Sequence, residues 1–208
     1  MTTKNFEELA GKEIIEKAAK ALAEHNFASE TVATGAEAFA RIKELIPAGV
    51  TVMNGASKTL EQIGYVDYLA SGKHPWVNPK DAILAEKDPA KQALMRKQSV
   101  VSNWYLGSAH AVTEDGRLVF ASNTGSQMPA LAYTATNILL IVSAKKIVPT
   151  LDDAFQRIKE YIVPLENENM QQKYKVDTNW RKTFVLNNEG EKSGRTVRVI
   201  FVNEKLGF

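Results

Sequence analysis

The 208 residues, 44% apolar and 24% charged, fall in the range of one compact globular domain and exclude a disordered or fibrous chain. The absence of cysteine excludes disulfides, thiolate zinc sites, a cysteine nucleophile and any cysteine-ligated cluster in this polypeptide, so redox chemistry would need a bound cofactor or a partner, and composition names neither. With 26 basic and 24 acidic residues the net charge is only +2, too little for a broad field that would grip nucleic acid or an anionic membrane.

The opening MTTKNFEELAGKEIIEK puts acids and lysines where a secretory leader has its apolar core, which points to a cytoplasmic protein. Phe6, Leu9, Ile14, Ile15, Ala18 and Leu22 recur at helical spacing, so residues 6–24 read as a peripheral N-terminal helix within 1–26, with Asn5 as its cap. A β-prone stretch, Phe27–Val32, precedes a helix through Phe39, Ile42, Leu45 and Ile46, which Pro47 and Gly49 end before a short strand, Val50–Met53. After N-G-A-S a third helix is expected over Lys58–Ala70.

Between Gln98 and Ala144 the only charged side chains are Glu114, Asp115 and Arg117, so this segment is expected to be mostly buried. It reads as strand Val100–Leu106, a T-E-D-G hairpin turn, strand Leu118–Ser122, a polar loop N-T-G-S-Q, a short helix Met128–Thr136 and strand Ile138–Val142. The run I-L-L-I-V fits a parallel strand covered on both faces, and the polar residues around it argue against a membrane hairpin. A helix over Leu151–Ile162 and a closing strand Thr196–Val202 flank residues 164–195, a polar insertion or lid. Helices alternating with strands predict a single α/β domain over 1–208: one open, mainly parallel sheet with helices on both faces and one antiparallel hairpin step.

Two loops follow strands and lead into helices, where free backbone N–H groups attract anions. Asn54-Gly55-Ala56-Ser57 offers small residues and a helix cap, but its spacing is neither a dinucleotide fingerprint nor a P-loop, and a plain turn explains it equally well. Asn123-Thr124-Gly125-Ser126-Gln127 sits in the charge-poor region, where its polar groups need partners that a ligand or water would supply. If the sheet is parallel, both loops lie at carboxyl ends of strands and share one cavity, with N–H groups of Gly55, Ser57, Gly125 and Ser126 aimed into it. Glu114, at the lip of the buried sheet, is the candidate nucleophile, acid or base, expected to point into that cavity; an exposed turn glutamate is the plainer alternative. His110 in an apolar strand end fits a satisfied structural residue, and the three histidines lie in unrelated contexts, so no metal site is expected. Lys173, Lys175, Arg181 and Lys182 beside Tyr174 and Trp180 have the ingredients for single-stranded nucleic acid, but Glu166, Glu168, Asp177, Glu189 and Glu191 nearly cancel them.

These stretches, in order, carry a resemblance. Leu45–Pro47 with N-G-A-S-K-T-L-E-Q-I-G (Asn54–Gly64), Gly107–Val119, Asn123–Gly125, Lys146–Pro149 and the terminal V-I-F-V-N-E-K-L-G-F resemble the LUD-domain family, of the lactate-utilisation protein C type, over nearly the whole chain. The resemblance implies the α/β fold of the sugar-phosphate isomerase and CoA-transferase superfamily, and a role as an accessory or ligand-binding subunit in bacterial oxidation of L-lactate to pyruvate beside iron–sulfur oxidoreductase subunits. Combined with the loop argument, it makes Asn54, Gly55, Ser57, Thr59, Glu61, Gly107, His110, Asn123, Gly125 and Ser126 the candidate ligands for a small carboxylate or phosphate. Relatives tend to read E-T-G-T where this chain has Glu114-Asp115-Gly116-Arg117, and a small residue where His110 stands. The competing functions are a free-standing acyl- or sugar-phosphate-type transferase or isomerase using Glu114, and a small-anion sensor that needs the loops alone.

Overall fold

A computed structural model describes residues 5–208. Its elements run α1 (Lys12–Glu24), β1 (Ala28–Val32), α2 (Gly35–Leu45), β2 (Val52–Asn54), α3 (Lys58–Gln62), α4 (Tyr65–Ala70), α5 (Pro79–Ala85), α6 (Pro89–Gln98), β3 (Trp104–Gly107), β4 (Ala111–Thr113), β5 (Leu118–Ser122), a π-helical turn (Ala130–Thr134) and β6 (Asn137–Ser143). A 3₁₀ turn (Ala144–Lys146), β7 (Ile147–Val148), α7 (Leu151–Arg157), a second π turn (Ile158–Ile162), α8 (Val163–Tyr174), β8 (Lys182–Leu186) and β9 (Thr196–Val202) complete the chain. Among the described residues no helix is long and apolar enough to cross a membrane.

The main sheet has the order β1-β9-β6-β3-β2, and every pair in it is parallel. Its central strand shows why I-L-L-I-V carries no polar residue: Ile138, Leu140 and Val142 point into one cluster while Leu139 and Ile141 point into another, so both faces are dry. The second cluster is closed by Ala38 and Ile42 of α2, Leu60 of α3, and Tyr65 and Leu69 of α4. On the opposite face lie α1, through Ile15, Ala18 and Leu22, and a second sheet of order β7-β4-β5-β8, which contributes Val112, Leu118 and Phe120. The other face of this second sheet, Ala111, Val119, Ala121 and Val148, packs on Ala154 of α7 and on Ile158 and Ile162.

Leu118–Ser122 was expected in the main sheet and instead belongs to the second, so the one sheet of the sequence reading is two. The α/β class and the parallel main sheet hold. The hairpin step is present: β4 and β5 pair antiparallel, with Gly116 in the left-handed region at φ +85°. The N-terminal helix is shorter than residues 6–24; it begins after Gly11, which provides no side-chain cap, and Asn5 instead accepts a hydrogen bond from the Glu7 N–H in a separate turn. The helix expected over Lys58–Ala70 breaks at Gly64, whose φ of +82° ends α3 and starts α4 at a new angle. The helix expected to stop at Ile162 continues as α8 to Tyr174, so the polar segment 164–195 begins as a helix and contributes strand β8 rather than one long loop.

Candidate functional site

Parallel strands β2, β3 and β6 end together, and the chain leaving each of them contributes to one cavity of about 290 Å³. After β2 come Ala56, Ser57, Thr59 and Glu61; after β3, Ser108, Ala109 and His110; after β6, Lys146. The end of β5 and the loop behind it add Ser122, Asn123, Thr124, Ser126 and Gln127, while Glu166, Asn169, Met170, Lys173 and Tyr174 of α8 form a further wall. The site therefore lies at the carboxyl edge of the main sheet, where it meets the second sheet, as open α/β sheets place ligands.

Both loops contribute to this cavity, but the N–H groups of Gly125 and Ser126 are spent within their own loop rather than aimed into it. Gly125 N–H donates to Ser122 Oγ at 2.8 Å and Ser126 N–H to Thr124 Oγ1 at 3.3 Å, because the loop satisfies its own polar groups. Ser57 caps α3 by accepting from the Leu60 N–H at 3.3 Å. Asn54, Gly55, Gly107 and Gly125 do not line the cavity. Gly55 and Gly107 serve Tyr105 instead: an added Cβ at Gly107 would come within 2.8 Å of the Tyr105 ring and one at Gly55 within 3.0 Å of its hydroxyl. Of the candidate ligands, Ser57, Thr59, Glu61, His110, Asn123 and Ser126 are brought together.

Glu114 does not point inward. Its carboxylate accepts from Lys17 Nζ at 2.7 Å, since the hairpin turn that carries it lies on α1 rather than at the sheet edge, and it is not among the cavity-lining residues. Asp115 pairs with Arg117 across the same turn and is held below the usual carboxylate range by that guanidinium.

The positive charge in and behind the cavity comes from residues outside the candidate ligand set. Lys146, only 4% exposed, donates to Thr59 Oγ1 at 3.0 Å and Ser108 Oγ at 3.1 Å. No carboxylate among the described residues pairs with it, and burial, then Arg157 and Lys145, push its pKa well below the ordinary lysine value. Arg157 is fully buried; it donates to the His110 carbonyl at 3.0 Å, stacks 5.0 Å from the Tyr161 ring, and burial lowers it to about 10. Its Nε and Nη2 have no partner among the described residues. Lys145 bonds Glu7 and Tyr161 Oη, each at 3.1 Å. Two buried cations, Lys145 and Arg157, thus share one nearby carboxylate, Glu7, and the buried Lys146 amine beside them has none.

Two neutral donors complete the wall. His110 Nδ1 accepts from the Ala121 N–H at 3.2 Å, so Nε2 carries the proton; burial, aided by Lys146 and Arg157, lowers its pKa to about 3 and keeps the ring uncharged. Tyr105, 4% exposed and lining the cavity, has its hydroxyl pKa raised by burial and remains a phenol, with no protein hydrogen bond to its oxygen among the described residues. At the α8 side, Lys173 Nζ lies 2.8 Å from Glu61 Oε1, bridging α8 to α3; burial opposes ionisation of Glu61, but the lysine partners hold its pKa low. Glu166, raised by burial, lines the same wall.

The only sequence signal for Lys146 was its place in K-I-V-P directly after the charge-free strand, where a lysine pair leaves a buried element with no room to reach solvent. Among the described residues no cluster of His, Cys, Asp or Glu is able to hold a metal.

Comparison with curated proteins finds no match. Among solved structures, the crystal structure of a DUF162 family protein from Deinococcus radiodurans at 1.70 Å resolution is similar, with a TM-score of 0.58 and 14% sequence identity; the match covers 94% of this chain and 100% of that one. At that identity the likeness speaks for the fold. The family model of the LUD domain matches residues 15–192, which takes in both loops, both sheets up to β8 and the lysine pair, and the chain belongs to the LUD-domain family.

Proposed function

We propose that this LUD-domain protein is a cytoplasmic ligand-binding subunit for a small carboxylate, acting in bacterial L-lactate utilisation beside iron–sulfur partner subunits. The observation that carries the binding reading is the buried pair of cations, Lys145 and Arg157, against the single carboxylate of Glu7, with two Arg157 nitrogens unpartnered among the described residues and the Lys146 amine beside them ending in the cavity. Burying uncompensated positive charge is costly, and an anion in the cavity offsets that cost. The His110 Nε2–H, the Tyr105 hydroxyl and the hydroxyls of Ser57 and Thr59 supply uncharged donors for carboxylate oxygens. A cavity near the lower end of the usual ligand-site range of roughly 300–1,000 Å³ suits a ligand of a few heavy atoms rather than a nucleotide. The lactate role rests on the family resemblance, and the transferase reading loses its candidate nucleophile with Glu114 turned to Lys17.

Titration of the full chain with L-lactate, pyruvate and inorganic phosphate, followed by amide chemical shifts, tests the binding. Saturable shifts at the Ser57, Asn123 and Ser126 amides, lost in Lys146→Met, are expected; no saturable shift with any of the three would overturn it. For the pathway role, a deletion strain that grows normally on L-lactate would count against it.

A further inference from the structure

We propose that Lys146 is a covalent capture site for a small 2-oxo acid, its Nζ condensing with the ligand's carbonyl carbon to form an imine. The inference rests on the carboxylate-binding reading and adds the ligand's second functional group.

Three observations converge on the amine. Its partners are the hydroxyls of Thr59 and Ser108 and not a carboxylate, so nothing among the described residues pins it as an ammonium. It is buried and yet lines a cavity, which gives a ligand access to it while bulk water is scarce. Arg157 and Lys145 stand close enough to disfavour a third positive charge, the arrangement by which a lysine becomes a nucleophile near neutral pH. A lysine needed only for packing or for a structural ion pair would need no open cavity in front of it. The same two cations favour a carboxylate beside the carbonyl, which selects a 2-oxo acid over a simple aldehyde.

The step balances with what the site and solvent hold. The Nζ lone pair attacks the carbonyl carbon, the carbonyl oxygen takes a proton to give a carbinolamine, and that hydroxyl leaves as water after a second protonation. The neutral amine loses one of its two protons and keeps the other, so the product is the protonated imine, and the net change is uptake of one proton from solvent and release of one water, with no oxidant or reductant. The cavity supplies donors for the carbonyl oxygen in the His110 Nε2–H and the Tyr105 hydroxyl, while the Thr59 hydroxyl relays protons at Nζ.

The test incubates the full chain with pyruvate, reduces with borohydride and maps the adduct by peptide mass spectrometry, beside an amide-shift titration with pyruvate and with L-lactate, which has no carbonyl to condense. The expected result is one adduct per chain on the peptide carrying Lys146, competed by excess L-lactate and absent from both Lys146→Arg and Lys146→Met; two variants guard against one failing to fold, which circular dichroism checks. Saturable pyruvate binding with no trapped adduct, or adducts spread over surface lysines and kept in both variants, would overturn the covalent step while leaving carboxylate binding intact. No binding of either acid would overturn both.

Discussion

Replacing Lys146 by methionine isolates the cost of its buried amine, because the side chain keeps a similar length and loses its titration. In the folded chain, burial and then Arg157 and Lys145 disfavour the ammonium, and the other groups against it, Thr59, Ser108 and His110, bring no negative charge; unfolded, it titrates near 10.5. The folded group therefore gives up its proton at lower pH than the unfolded one. Between those two values the unfolded chain holds more protons, so wild-type stability rises with pH. The slope from one such group is at most about 1.4 kcal/mol per pH unit, or roughly 3–6 °C of Tm per unit for a chain of this size. Denaturant unfolding of both proteins at stepped pH, from about neutral up to the unfolded value of 10.5, measures it, since titrations common to both cancel in the difference. Wild type should gain on Lys146→Met throughout the window in which its amine is neutral and stop gaining above 10.5. A difference that stays flat with pH would mean that Lys146 titrates as an ordinary lysine, and the reading of the site would fall with it.

His110 should show imidazole shifts of the neutral Nε2–H form down to about pH 4, because its proton is taken up only near 3; as pH drops below 6.5 the unfolded state alone gains that proton and stability falls, whereas a midpoint near 6.5 by NMR would contradict the buried tautomer. Gly116→Ala combines a positive φ, costing about 1–2 kcal/mol, with a Cβ only 2.7 Å from the Ala21 carbonyl carbon in α1, so the loss should exceed about 2 kcal/mol in a denaturant melt, and a loss below about 1 kcal/mol would refute the contact. Arg195→Ala removes hydrogen bonds to the carbonyls of Ala130, Leu131, Ala132 and Ala135 that close the end of the first π turn, and roughly 2–4 kcal/mol of stability should go with them, read by thermal melting. Lys173→Ala should cost less than about 1 kcal/mol of global stability, since the Glu61 pair is a third exposed, yet amide exchange in α8 should quicken more than in α7.

The alternation that identifies a strand was legible where one chain segment explains its own burial. Residues 137–143 and the Asp115-Gly116 turn needed no partner to be recognised, because an uninterrupted apolar run and a glycine at positive φ each have few local solutions. Leu118–Ser122 misled because its burial on both sides has two physical sources, a helix layer or a second sheet, and composition does not separate them. The shared cavity was expected from two loops at parallel strand ends, but only the N-G-A-S loop follows a strand of the parallel sheet; the other reaches the cavity because β5, antiparallel to both its neighbours, ends where the two sheets meet. The residues that give the cavity its chemistry did not follow: Arg157 looks like a surface charge in any local window, Lys146 hints at burial only by following a charge-free strand, and the packing of α7 and the 3₁₀ turn is what removes the water. Glu114 failed for the mirror-image reason, its charge being answered by Lys17, 97 residues away in sequence.

The order of the main sheet puts β9, the last of the described strands in chain order, between β1 and β6, with Ala28–Val32 on one side and residues 137–143 on the other. Until residues 196–202 leave the ribosome, β1 has no neighbour in the sheet and β6 shows a bare edge next to its most apolar stretch. A nascent chain must therefore wait, partly assembled and prone to sticking, for β9, and folding is governed by the closing of a contact between residues about 170 apart, Ala28–Val32 with Arg198–Val202. Ribosome stalling or cleavage just before Thr196 should leave a species that chaperones hold and proteases find, even though every residue of the cavity except Phe208 has already been synthesised.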